Sequence, residues 1–207
     1  MDLIARRHML MHDPELPPKY KKVEYLQSDG NQWFDSGVEC TYDLEVDYSA
    51  QCTSVINRAW CGGISTVNAP VYFRHHSSPN SGTIYWIQNN SDDWSSVGDD
   101  NVYPTDKITA HIDPVNGTAF VNGNNYTFTP LTSGTTGRGY GIFARISNAG
   151  DIQSRPAKIY YFKLIKGGET LRNYIPCIRV SDSKPGMYDT ITRTFFVNQG
   201  TGEFIVP

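Results

Sequence analysis

Hydrophobic and polar positions alternate along much of this chain with a period of two. Leu44, Val46 and Tyr48 interleave with Glu45 and Asp47, the pattern of a strand with one face buried. Thr83–Ile87 and Ile108–Ile112 are further short β-prone runs. Thr118–Val121, the pair Asn122-Gly123 and Asn124–Phe128 make the strongest hairpin signal, because Asn-Gly accepts the positive φ values of a tight type I′ turn. Lys158–Ile165, then Lys166-Gly167-Gly168, then Leu171–Val180 repeat the device with longer arms. On a regular strand Tyr160, Phe162 and Leu164 share one face, and Tyr161, Lys163 and Ile165 the other. No segment carries helical periodicity, and no solenoid or propeller repeat is visible. Short strands separated by Gly, Asn, Asp and Pro predict an all-β fold of two antiparallel sheets packed as a sandwich. The Asn-, Ser- and Asp-rich stretch from Ser77 to Asn101 reads as long surface loops, which carry function more often than core strands do.

The first residues break this pattern. Met1 to Pro18 mixes Arg, Met and Leu with a Pro-rich end at Pro14, Pro17 and Pro18, which stops a helix from continuing. Residues 1–20 are expected to form an arm outside the domain, and 21–207 the domain. Leu3, Ile4, Met9 and Leu10 offer apolar area that a lone arm cannot bury on itself, while Arg6 and Arg7 can pair with acidic groups on a partner. The arm is therefore expected to anchor the chain to other subunits or to a second copy in a homo-oligomer.

With 207 residues and 23.2 kDa the chain can enclose one core. Its net charge of −3 leaves no basic excess, so no nucleic-acid partner is expected. After Arg6 and Arg7 the only apolar run is Met9–Met11, too short for a secretory segment. No stretch is apolar enough to span a bilayer, so no membrane association is expected, and synthesis is expected in a cytoplasm. Cys40, Cys52, Cys61 and Cys177 show no CxxC pair or zinc-finger spacing; they read as reduced, partly buried small hydrophobes. The sequons at Asn89, Asn116 and Asn125 read as ordinary polar turns.

Two blocks carry a resemblance. Tyr25–Gly37 is similar to the opening strand pair of concanavalin A-like, laminin G-like domains, the lectin/glucanase group abundant in bacteriophages and prophages of gut bacteria. Lys158–Lys163, Arg172–Cys177, Lys184–Asp189, Phe195–Asn198 and Gly200–Phe204 resemble the closing signature of that group. The resemblance frames nearly the whole chain from Lys21 to Pro207 and implies a two-sheet antiparallel jelly-roll sandwich. It also implies a bacteriophage virion protein, made in the host cytoplasm: a capsid decoration, head-fibre or tail-associated component that adheres to host or mucosal glycans. A purely architectural virion module is the competing reading, and a laminarinase-type glycoside hydrolase a third. Gly186 and Gly200 read as turn positions, and Pro176 as a mark of a bulge or strand edge.

Catalytic patterns fail residue by residue. Laminarinase-type glucanases carry Glu-x-Asp-x-(x)-Glu on one strand, and retaining hydrolysis needs two carboxyl groups about 5–5.5 Å apart. Glu45-Val46-Asp47 begins this motif, but Tyr48, Ser49, Ala50 and Gln51 follow, so no enzyme is expected and Glu45 and Asp47 read as solvent-facing. His75 and His76 are adjacent and so fall on opposite faces of a strand. Cys61 beside Gly62-Gly63 has no evident base. No cofactor is expected; Asp92, Asp93, Asp99 and Asp100 offer oxygen ligands for calcium, without a supporting motif. For binding, sugar faces stack on aromatic rings while hydroxyls use Asn, Asp and Arg. The candidates are Trp94, Trp86, Tyr103, Trp60, Tyr72 and Arg74. Trp94 leads, because Ser91-Asp92-Asp93-Trp94-Ser95-Ser96 does not read as a buried strand.

Overall fold

The computed structural model describes residues 16–53, 58–64, 72–78, 81–87, 94–97, 106–147 and 149–207. At 58–60, 63–64, 72–78, 81–87 and 94–97 it describes strand placement and register alone. The described residues form two β-sheets and contain no helix. The chain enters the larger sheet with β1 (Tyr20–Lys22) and β2 (Leu26–Asp29), crosses to the smaller with β3 (Phe34–Thr41), and returns with β4 (Leu44–Cys52). The smaller sheet then receives β5 (Arg58–Ile64), β6 (Tyr72–Ser78), β7 (Ser81–Ile87) and β8 (Trp94–Val97). A meander of β9 (Ile108–Asp113), β10 (Thr118–Val121) and β11 (Asn124–Thr127) lies in the larger sheet. β12 (Thr135–Ile142), β13 (Ala144–Ser147) and β14 (Ile152–Ser154) lie in the smaller. The larger sheet is completed by β15 (Pro156–Lys166), β16 (Glu169–Arg179), β17 (Lys184–Asp189) and β18 (Thr194–Phe196).

The hairpin signals translate directly into turns. Asn122 and Gly123 take φ values of 47° and 90°, the positive-φ pair of a type I′ connection. Gly167 and Gly168, at 56° and 79°, close the β15–β16 hairpin. That connection is two residues long, so both arms run further than the sequence pattern indicates. The stretch Ser77–Asn101 departs from its loop reading: it holds the end of β6, all of β7 and all of β8.

β15 is the central strand. One of its edges pairs with β4 from Ala157 to Lys166; the other pairs first with β2 and then with β16. Its pairing with β4 jumps by one residue between Ile159 and Tyr161, a bulge at Tyr160. Ala157 and Ile159 are buried before it, Phe162 and Leu164 after it. The regular alternation that groups Tyr160 with Phe162 and Leu164 is therefore interrupted. The extra residue lets Ile159 and Phe162 both face the core, and it leaves Tyr160 and Tyr161 outside.

β15 and β16 separate beyond the Phe162–Tyr174 pair, and Tyr20–Asp29 fills the fork. β1 runs in along Cys177–Arg179 of β16, the chain turns at Val23–Tyr25, and β2 runs out along Pro156–Ile159 of β15. Pro176 stands at this handover. Its carbonyl accepts the Val23 N–H at 3.0 Å, so its edge without an N–H faces the gap between the two partners, where no ladder bond is lost. Lys19 accepts the Val180 N–H at 3.0 Å and Tyr20 pairs with Arg179, so the ordered sheet begins two residues before the expected boundary at Lys21. Leu3, Ile4, Arg6, Arg7, Met9 and Leu10 lie outside the described residues.

The core lies between the sheets. Phe34 of the smaller sheet packs on Tyr174 and Phe196 of the larger at 5.3 and 5.4 Å between ring centroids, and Tyr140 meets Phe162 at 5.9 Å. The Tyr174 hydroxyl and the Arg172 Nε both donate to the Ser36 carbonyl, at 3.3 and 3.1 Å, and tie the sheets at one end. All four cysteines are free thiols; Cys40, Cys61 and Cys177 are buried and Cys52 is half-buried.

Gly186 does not act as a turn residue, and Gly200, which does lie in a bend, is constrained by a neighbouring backbone as well. Gly186 lies within β17, where a Cβ would run into the Phe196 carbonyl oxygen and the Phe195 ring; at Gly200 it would strike the Asn31 carbonyl. Close backbone approach is the constraint. Gly186→Ala is expected to destabilise the fold by about 3 kcal/mol, the upper range of overpacking costs, because a backbone carbonyl cannot rotate aside; urea denaturation measures it.

Burial also pushes acidic core groups upward. The Cys52 and Cys177 thiols rise from 9.0 to about 12, and Cys61 rises further. The phenols of Tyr48 and Tyr140 rise for the same reason, desolvation. A raised folded-state value means that the native state holds its proton more tightly. The corresponding stability is whole below the unfolded-state thiol value and is lost as pH climbs through the folded-state one. Thermal midpoints should therefore be level up to about pH 9 and fall steadily above it; a level profile to about pH 12 would contradict this assignment.

Candidate functional site

The most organised polar surface in the described residues is the outward face of the larger sheet, the face away from the smaller one. β4 sends Leu44, Val46, Tyr48 and Ala50 inward, all fully buried, so Glu45, Asp47, Ser49 and Gln51 occupy the outward face. One rung crosses five strands by cross-strand pairing: Phe120 with His111, His111 with Asp47, Asp47 with Lys163, and Lys163 with Asn173. Paired residues share a face at contact distance.

Asp47 is held twice. Lys163 Nζ lies 3.3 Å from its Oδ2, and the Tyr161 hydroxyl donates to its Oδ1 at 2.9 Å. Asp47 is 8 % exposed, so it is not the solvent-facing residue that the alternation implies. The Tyr161 phenol is pushed well up, first by burial and then by the Asp47 charge that it hydrogen-bonds. Glu45 Oε2 lies 3.7 Å from His111 Nε2. Both carboxylates of this strand thus have fixed partners, and the next outward positions are Ser49 and Gln51.

A second group sits at the fork. The bulge turns Tyr160 outward; its ring meets Tyr25 edge-on at 5.6 Å, and its hydroxyl donates to Gln51 Oε1 at 2.9 Å. Lys107 Nζ lies 3.7 Å from the Tyr160 ring centroid and Lys158 Nζ 4.3 Å from that of Tyr25. Lys158 pairs with Gln51 on one side and Gln27 on the other. At the far end of the sheet, Tyr20 packs on Tyr188 and Phe195 at 4.7 and 5.1 Å, with Arg179 over Phe195.

Asp189 belongs to neither group. Fully buried, it accepts from the Asn173, Ile191 and Thr192 amides at 2.8, 3.1 and 3.3 Å and from the Thr192 hydroxyl at 2.5 Å. Its oxygens are used in closing the β17–β18 turn, so this carboxylate is structural.

The expected binding residues lie elsewhere. Trp60, Tyr72, Arg74, Trp86 and Trp94 fall on four successive strands, β5 to β8, of the smaller sheet. Trp94 opens β8 and pairs with Ile87, so it stands at a strand end and not in a loop. Trp86 pairs with Phe73 and Ser95, Arg74 with Ala59 and Tyr85, and Tyr72 with Gly62. Trp60 falls at a register shift between Ala59 and Cys61. Tyr103 and the aspartates 92, 93, 99 and 100 lie outside the described residues. Sequence reasoning passed over Tyr25, Lys107, Lys158 and Tyr160. The adjacent pair Tyr160-Tyr161, unusual in a strict alternation, was the available signal.

Among the described residues no group of three His, Cys, Asp or Glu side chains is placed to hold a metal ion, and no helix is long and apolar enough to cross a membrane. Comparison with protein-family models, with curated proteins and with solved structures finds no match to this chain.

The Asp47–Lys163 pair lends itself to a double-mutant cycle. Asp47→Asn should cost about 1–3 kcal/mol, because it leaves a largely buried ammonium without its counter-charge. Adding Lys163→Met should recover part of that loss; chemical denaturation of the four proteins gives the coupling.

Proposed function

We propose that this chain is a concanavalin A-like jelly roll that works by binding glycans and catalyses no reaction. The observation that carries this reading is the outward face of the larger sheet: tyrosines, amides and lysines line it, while Asp47 is engaged by Lys163 and Tyr161 and Glu45 by His111. Retaining glycoside hydrolysis needs a nucleophile and a separate acid/base across the scissile bond. Ser49 and Gln51 stand where the strand would present the second acid, and neither can exchange a proton in that role. Six strand crossings between the sheets, at β2–β3, β3–β4, β4–β5, β8–β9, β11–β12 and β14–β15, fit a jelly-roll winding.

The proposed setting is a bacteriophage virion, as a decoration, head-fibre or tail-associated protein made in the host cytoplasm. The resemblance of the Tyr25–Gly37 and Lys158–Phe204 blocks to phage-encoded domains supports it. The arm would join the domain to neighbouring virion subunits or to further copies of itself, and many copies would turn weak single-sugar affinity into firm adhesion.

Multivalent display of the chain on a glycan array, with a parallel assay for new reducing ends on a polysaccharide panel, tests the activity. Retention on some glycans without reducing ends is expected. A blank array would leave an architectural module, and reducing ends would make it a hydrolase. Mass spectrometry of purified particles tests the setting, which fails if the chain is absent from them.

A further inference from the structure

We infer that the fork patch formed by Tyr25, Tyr160, Lys107 and Lys158 takes an acidic saccharide, with the anionic group seated on the two ammonium ions. The inference rests on the glycan-binding reading and narrows it to a ligand class.

Two lysines gathered over touching tyrosine rings point to this patch. In the larger sheet and its turns Lys163 pairs with Asp47, Lys166 with Asp43, Arg172 with Asp189 and Arg179 with Asp182, while Lys19, Lys21, Lys184 and Arg193 have no ion pair among the described residues. Lys107 and Lys158 have no such ion pair among the described residues; they rest on tyrosine rings instead, and those rings touch each other. Two ammonium ions with no ion pair among the described residues therefore stand over adjoining rings, on a protein whose net charge is −3. Acidic side chains do lie close by. Glu24 acts on the Tyr160 hydroxyl and Asp106 precedes Lys107 in the chain, but neither forms an ion pair with either lysine.

The same geometry separates acidic from neutral sugars. A neutral sugar binds a tyrosine by stacking on the ring face, and here each ring already carries an ammonium ion at 3.7 or 4.3 Å. Such a ligand must displace those contacts, each worth about 0.5–1 kcal/mol at an exposed site. A carboxylate or sulfate uses them, because an ammonium ion held on a ring by one side keeps N–H donors on the other. Gln27 and Gln51, the register partners of Lys158, bring amide groups beside it that suit sugar hydroxyls. The ring contacts also restrict the lysine side chains before a ligand arrives, which lowers the ordering cost of binding.

The test uses the full chain displayed multivalently, and a Lys107→Gln/Lys158→Gln variant checked for an unchanged thermal midpoint. The probes are polygalacturonate as uronate polymer, dextran sulfate as sulfate polymer, unmodified dextran as neutral control, and a single-stranded DNA oligonucleotide as generic polyanion. Binding to one of the two acidic polysaccharides is expected, weakening as salt rises and falling by about tenfold or more in the variant, a loss of about 1.4 kcal/mol. Whichever acidic polymer is preferred identifies the anionic group. Equal binding of acidic and neutral polymers, equal binding of DNA, or an unaffected variant overturns the inference and leaves the glycan-binding reading standing. Failure to bind any glycan, on these probes and on the array, removes the reading as well.

Discussion

The pairing of β15 with β4, with its bulge at Tyr160, is the constraint on which the rest of the structure depends. β15 is hydrogen-bonded along both edges and carries Ala157, Ile159, Phe162 and Leu164 into the core. Burying one such large side chain is worth about 1.5–3 kcal/mol. A strand without the bulge would turn either the Ala157–Ile159 half or the Phe162–Leu164 half outward, because a slip of one residue inverts every side chain beyond it. The bulge keeps both halves inside and displaces the irregularity to the outer surface. Tyr160 and Tyr161 emerge there as neighbours.

The fork follows from the same strand. Beyond Phe162 the edge of β15 is released from β16, and the open edges are satisfied by Tyr20–Asp29, which the chain supplies before any other part of the sandwich. The C-terminal end closes over this insert. Gln27 and Ile205 exchange both backbone hydrogen bonds, at 2.8 and 2.9 Å, and the Asn198 side chain accepts from the Trp33 amide at 3.0 Å. The blocks Tyr25–Gly37 and Lys158–Phe204 are thus two sides of one junction. Their residues are demanded by backbone proximity: Pro176 where no N–H is needed, Gly200 where only a hydrogen fits, Asp189 where three amides converge.

On the outer face, charge is arranged by strand neighbours. Asp47 and Lys163 are direct cross-strand partners and neutralise each other. Lys158 is one turn of the pleat beyond the bulge, and its partners on both sides are glutamines. Its ammonium ion rests on the Tyr25 ring, and Lys107 reaches Tyr160 in the same way. The bulge therefore divides this face into a compensated rung and a cationic, aromatic patch.

The local half of this architecture was legible in the sequence. Leu44, Val46 and Tyr48 announced β4, and Asn122-Gly123 announced its turn, because side-chain alternation and positive φ depend on a residue and its immediate neighbours. The hairpin at Gly167-Gly168 was also visible, though its arms were read short. Non-local features were not legible. Strict alternation groups Tyr160 with Phe162 and Leu164 because it says nothing about a bulge, which is decided by what Ser49 and Ala50 of a strand more than a hundred positions earlier will accept. Alternation alone makes Asp47 exposed, because only the pairing of β4 with β15 brings Lys163 and Tyr161 to it. From sequence Gly186 reads as a turn residue, because its real constraint, the approach of the Phe196 carbonyl, belongs to another strand. The polar neighbours of Trp94 read as a loop because they hide the strand that β7 templates. A short-range pattern determines which residues extend, while the tertiary structure decides which of them meet, since steric fit and charge compensation are properties of pairs distant in sequence.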